Sequence, residues 1–192
     1  MKYLPHIPNA ISIFRLLLVL PIAITIIEGE FIFCLALFCI AGISDGLDGY
    51  LARKYDWVTA FGKIIDPLAD KLLLLVTTVT LGMSGYFPVM VLFLMIAKDL
   101  AVVGGVLVYT VLAGFPEVRP LLVGKVTTVL QILLIGYIMI TLVVNMPVAY
   151  IFTPVLVWIV VIATILNGCS YLWLWTNKLA LDPRWKQVVV AT

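Results

Sequence analysis

The chain has 192 residues, of which 64% are hydrophobic and 11% charged, and a formal net charge of +2. Water-soluble domains carry about 25% charged residues, so a chain this apolar lacks the polar surface to cover itself in water and reads as an all-α polytopic membrane protein. The small net charge argues against a nucleic-acid partner, and Cys34, Cys39 and Cys169 lie in apolar runs with no CxxC pair, as buried small hydrophobes do.

A membrane-spanning helix needs about 20 mostly apolar residues. Six such runs follow in chain order, over residues 8–27, 31–53, 60–82, 87–113, 121–145 and 150–176. The first is too long for the apolar part of a secretory signal and has no small-residue cleavage site, so it reads as a retained helix. Pro8 suits its start, and Asn9 is placed to cap it. Arg15, two turns in, either snorkels to the interface or serves the site as one of its basic residues. The breaks between runs carry turn chemistry at Glu28-Gly29-Glu30, Ser84-Gly85-Tyr86, Gly114-Phe115-Pro116 and Asn145-Met146-Pro147. No internal repeat is visible, and residues 1–192 read as a single membrane domain.

Charge fixes the expected orientation. The loops after the first, third and fifth runs hold no Lys or Arg, whereas the N-terminus, the loops after the second and fourth, and the C-terminal tail hold Lys2, Arg53, Lys54, Arg119, Lys178, Arg184 and Lys186. Basic residues stay on the cytoplasmic side, which predicts both termini there.

Four aspartates fall where the second run leaves and the third enters that same side: Asp45, Asp48, Asp66 and Asp70. The members of each pair are three or four residues apart and share a helix face. A short connection would make the two helices antiparallel neighbours, with the pairs facing one another. Like charges repel, and an aspartate at mid-helix in a bilayer costs about 2.5–3.5 kcal/mol on insertion scales. Hard divalent cations offset such a cluster, and Mg2+ or Mn2+ with oxygen ligands, two ions to the site, would suit four carboxylates and a phosphate. Gly46, Gly49 and Ala52 leave one face of the second helix nearly bare for a bulky group, Gly62 clears the third, and Arg53 is placed to fork to a phosphate. Asp56, in the loop, reads as an ordinary interface charge.

From Asp45 to Asp70 the stretch reads D-x2-D-G-x2-A-R-x8-G-x3-D-x3-D. It resembles the signature of the CDP-alcohol phosphatidyltransferases, membrane enzymes that move a phosphatidyl group from CDP-diacylglycerol to an alcohol and release CMP. The resemblance implies six membrane helices with a cytoplasmic site in a bacterial inner membrane, and a homodimer. It implies that Asp45, Asp48 and Asp66 bind two metal ions, with Asp70 as the base and a further ligand. It implies that Asn9, Gly49, Ala52, Arg53 and Gly62 lie along the CDP moiety.

The acceptor alcohol is less sharply marked. The N-terminal stretch HIPNAISIFRLLLVLP resembles the I-P-N-x-[LI]-[TS]-x-x-R start of two subfamilies, one acting on glycerol 3-phosphate and the other on phosphatidylglycerol to give cardiolipin. FGKIIDPLADK and GKVTTVLQ resemble both. The fourth run reads AKDLAVVGGVLVY, where Lys98-Asp99 departs from the SRE of the first subfamily and sits nearer the SRD of the second. Glycerol 3-phosphate, a soluble dianion, needs a basic pocket, for which Lys63, Lys71, Lys98, Arg119 and Lys125 are the candidates, and it is the preferred acceptor here. A cation transporter is the reading from another class. Transporter sites lie near the midplane in repeated halves, while these acids cluster at one interface with no counterpart in the last two runs.

Overall fold

The computed structural model describes residues 7–55, 57, 59, 62–113, 122–145 and 147–181. They form α1 (Ile7–Glu28), α2 (Phe31–Lys54), α3 (Gly62–Met83), α4 (Val89–Ala113), α5 (Leu122–Val144) and α6 (Pro147–Leu181), with no strand among the described residues. Lipid offers a peptide group no hydrogen-bond partner, so apolar stretches of this length satisfy their backbone internally. The runs read from the sequence match these helices to within a few residues, except that α6 extends at both ends, to Pro147 and Leu181.

Three of the four expected breaks are stops made by residues of positive φ, namely Gly29 at 77°, Gly85 at 80° and Asn145 at 50°. The Glu30 N–H donates to the Thr25 carbonyl and the Tyr86 N–H to the Leu81 carbonyl, both at 2.9 Å, which closes the last turn over a left-handed residue. The fourth break, at 114–116, lies outside the described residues.

Helices α1, α2, α4, α5 and α6 are each long and apolar enough to cross a membrane, and the chain is a multi-pass membrane protein. Helix α3 has the length, 22 residues, but carries Lys63, Asp66, Asp70 and Lys71 in its N-terminal half.

The chain divides into two compact units, one of residues 1–89 with 135–149 and one of 90–134 with 150–192. In the first, α1 packs against both α2 and α3. Its inward stripe is Ser12, Arg15, Leu18, Ile22 and Ile26, all buried, at the three- and four-residue spacing of one helix face. Facing side chains include Cys34, Phe38 and Ala41 of α2 and Ala69, Leu73, Thr77 and Leu81 of α3. Phe31 meets Tyr86 edge-on with ring centroids 5.0 Å apart, so α2 starts where α3 ends and the two run antiparallel, as the short connection requires. The stripe is therefore apolar along most of its length and polar at the end where α2 finishes and α3 begins.

In the second unit the Thr127 hydroxyl of α5 lies 3.2 Å from the Ala163 carbonyl of α6. A Cβ built on Gly124 would stand 3.4 Å from the Tyr171 hydroxyl and 3.6 Å from Asn167 Oδ1, a close approach that small residues allow between membrane helices. The cysteines depart from expectation: Cys34 is buried, but Cys39 and Cys169 are exposed on outward helix faces, where the surroundings of a spanning helix are apolar anyway.

Candidate active site

Helix α1 joins the two aspartate pairs. The Arg15 guanidinium places Nη1 2.9 Å from Asp45 Oδ1 and donates from the same nitrogen to Asp70 Oδ1 and from Nη2 to Asp48 Oδ2. One turn earlier, Ser12 Oγ stands 3.3 Å from Asp48 Oδ2 and hydrogen-bonds Asp66 Oδ1. Ser12 and Arg15 are three residues apart and emerge from the same face of α1. Between them they touch all four carboxylates, two from α2 and two from α3.

The cluster has a sealed floor and an open mouth. The side chains of Arg15 and Asp48 are 0% and 4% exposed, while those of Asp45 and Asp70 are 52% and 40% exposed. Arginine does not lose its proton in a protein, so one fixed positive charge faces three carboxylates directly and a fourth through Ser12. The balance at the mouth remains negative. Of the two readings of Arg15, snorkelling gives way: the side chain turns inward to three carboxylates. Its Nε is buried with no hydrogen-bond partner among the described residues.

A second polar chain lies beside Asp66. Thr59 Oγ1 donates to Asn9 Oδ1 at 2.8 Å and accepts the Gly62 N–H at 2.9 Å. That supplies a partner for one of the first amides of α3, which have none within the helix. A Cβ on Gly62 would fall 2.7 Å from Asn9 Oδ1, 3.1 Å from Thr59 Oγ1 and 3.6 Å from Asp66 Oδ2. Asn9 and Gly62, singled out separately in the sequence, are thus neighbours at the cluster's edge.

The remaining expected residues are placed as follows. Gly49 and Ala52 are half-buried on α2, each four residues beyond an aspartate and so on the same face as it. The side chains of Arg53 and Lys63, and all of Arg119, lie outside the described residues. In the second unit, Lys98 is buried and pairs with Asp99 at 3.2 Å, and Lys125 is exposed on the first turn of α5. Ser12 went unremarked in the sequence. The available signal was the S-x-x-R of ISIFR, which puts a hydroxyl and a guanidinium one above the other on the first helix.

Chemically, the donor set is carboxylate oxygen throughout, the kind that hard divalent ions take. As the side chains stand, no three Asp, Glu, His or Cys groups among the described residues converge on one point; the Arg15 guanidinium lies among three of the four.

Apolar helices with an acidic, oxygen-donor cluster at one end of a buried stripe define a multi-pass membrane protein. The chain belongs to the CDP-alcohol phosphatidyltransferase family, whose model matches residues 5–166. It is 36% identical over 139 residues to the CDP-diacylglycerol–glycerol-3-phosphate 3-phosphatidyltransferase of Bacillus subtilis, a match covering 70% of this chain and 69% of that one. It is 47% identical over 68 residues to the protein of the same name from Mycoplasma genitalium, over 35% of this chain and 29% of that one. With the human cardiolipin synthase (CMP-forming) it shares 30% identity over 147 residues, which is 68% of this chain and 48% of the human protein.

Proposed function

We propose that the chain transfers the phosphatidyl group of CDP-diacylglycerol to glycerol 3-phosphate, giving phosphatidylglycerophosphate and CMP. The observation that carries this reading is the gathering of Asp45, Asp48, Asp66 and Asp70 by Ser12 and Arg15, in a chain whose family and relatives are those just described. In the reaction, the acceptor hydroxyl oxygen forms a bond to the phosphorus bearing the diacylglycerol. The phosphoanhydride bond breaks, and CMP departs with its electron pair.

Asp70, half-exposed at the mouth, is the base that receives the hydroxyl proton. Asp45, Asp48, Asp66 and Asp70 would hold Mg2+ or Mn2+, two per site, and the ions, when bound, neutralise charge building on the leaving phosphate. Asn9, Gly49, Ala52, Arg53 and Gly62 line the CDP, and Lys63, Lys98, Arg119 and Lys125 are the candidates for the acceptor phosphate. The reading includes six spans in a bacterial inner membrane, both termini and the site on the cytoplasmic side, and a homodimer.

Cardiolipin synthesis from CDP-diacylglycerol and phosphatidylglycerol is the second reading. Lys98-Asp99 favours it, since Lys98 is spent on its own neighbour at 3.2 Å, and so does the likeness to the human enzyme.

CMP release by the detergent-purified chain separates the two, with CDP-diacylglycerol and Mg2+ or Mn2+ present and glycerol 3-phosphate or phosphatidylglycerol supplied in parallel. Release with glycerol 3-phosphate is expected, abolished by chelation and lowered about 10²–10⁴-fold by Asp70→Asn, the span attributed to a positioned base. Release with phosphatidylglycerol alone would hand the chain to the second reading, and release with neither would end both.

A further inference from the structure

The family reading gives the aspartates to metal ions, yet the position among Asp45, Asp48 and Asp70 is filled by this chain's own guanidinium. We infer that Arg15 is a built-in competitor of the divalent cation: it holds the carboxylate cluster together when no ion is bound, and the ion must displace it to bind. The inference rests on the metal-binding reading of the cluster.

Four observations carry it. Arg15 is wholly buried, and its two terminal nitrogens serve three carboxylates on two helices. This is no surface ion pair of marginal worth; the floor of the cluster, Arg15 with Asp48, is out of water. The guanidinium engages Asp45 Oδ1, Asp48 Oδ2 and Asp70 Oδ1, lone pairs an ion at about 2.0–2.1 Å from each oxygen would need. As placed, no three of the acidic groups among the described residues can share an ion. Arginine also cannot step aside by losing its proton, so it can yield only by moving.

The direction of the effect follows. Without Arg15 the empty cluster keeps like charges together with no counter-charge, and breaking a buried pair by removing one partner is costly. The ion-free protein therefore loses stability. The ion-bound protein does not lose it equally, because the ion supplies the counter-charge. The difference appears as tighter ion binding. Lysine at this place brings a point charge without the planar fork, so it reaches fewer of the three carboxylates and competes less well.

The test is Mn2+ binding by the full chain in detergent, read from the loss of the free-Mn2+ paramagnetic resonance signal, with thermal midpoints in chelator and in saturating Mn2+. Arg15→Gln is expected to bind Mn2+ at least about tenfold more tightly than the wild type, about 1.4 kcal/mol. Its midpoint in chelator should fall, while its Mn2+-saturated midpoint stays near that of the wild type. Arg15→Lys should lie between, and it carries the comparison if Arg15→Gln does not fold in chelator. Unchanged or weaker Mn2+ affinity in both variants, with midpoints lowered equally with and without the ion, would overturn the inference and make Arg15 a structural residue of both states. Asp48→Asn controls for the underlying reading: it should lose Mn2+. If the wild type itself takes up none, the metal reading fails and takes this inference with it.

Discussion

Ser12 has one hydroxyl proton and three acceptors within reach: the Pro8 carbonyl at 3.0 Å, Asp48 and Asp66. It can donate to one at a time, so it ties the α2 and α3 carboxylates together without neutralising either. The counter-charge comes from Arg15, which meets Asp48 directly but not Asp66. Gly62 is the other position where a single atom matters. An alanine there would gain somewhat in helix propensity, at most about 1 kcal/mol. Its Cβ, however, would sit 2.7 Å from Asn9 Oδ1, and the side chains it pushes are bonded to one another and to the α3 backbone. Overpacking of this kind costs about 1–3 kcal/mol, so the clash wins. Gly62→Ala is expected to lower the thermal midpoint in detergent, and a midpoint at or above that of the wild type would show that Asn9 and Thr59 yield freely. At this scale the sequence was legible where chemistry repeats at helical spacing, as in the aspartates. It was undecided at Arg15, because a lone arginine near a helix end looks the same whether it reaches out to the interface or in to carboxylates that arrive from other helices.

The elements carry the site by their ends. Helix α3 starts with its Gly62 N–H on Thr59 and reaches Asp66 one turn later. Pro67, inside α3, has no N–H to offer the Lys63 carbonyl. Thr59→Val keeps the shape and removes the hydroxyl. A lost cap costs about 0.5–2 kcal/mol, and here Asn9 Oδ1 loses its donor as well. Thr59→Val is expected to lower the midpoint by the equivalent of about 1–2 kcal/mol, and more than Thr176→Val, whose hydroxyl bonds carbonyls of its own helix. Equal effects would deny Thr59 a linking role. Helix bounds were readable because each membrane run must close its own hydrogen bonds and because Gly29, Gly85 and Asn145 mark the stops. What was not readable is which helix mediates. A short loop promised that α2 and α3 would face one another, and it takes the α1 stripe to show that their carboxylates meet on Ser12 and Arg15.

For the whole molecule, the positive-inside asymmetry expects the α2–α3 connection on the cytoplasmic side and the turn after α3 on the other. Lys54→Cys and Ser84→Cys, each in a background with Cys34, Cys39 and Cys169 changed to serine, report this in intact bacterial cells. A membrane-impermeant maleimide should label the Ser84→Cys protein from outside and the Lys54→Cys protein only after permeabilisation. The reverse pattern would turn the molecule over and place the aspartate cluster away from the cytoplasm.

The bond from Arg15 to Asp70 spans 55 residues of chain, and that has a consequence for biosynthesis. The first helix leaves the ribosome carrying a cation whose three partners do not yet exist. At roughly 5–20 residues per second, Asp70 is made about 3–11 s after Arg15. A charge at membrane depth is expensive until it is paired, and the first relief for Arg15 comes with Asp45 and Asp48 of the second helix. Asp70 completes the set with the third helix, so the cluster can close only once all three segments have been made.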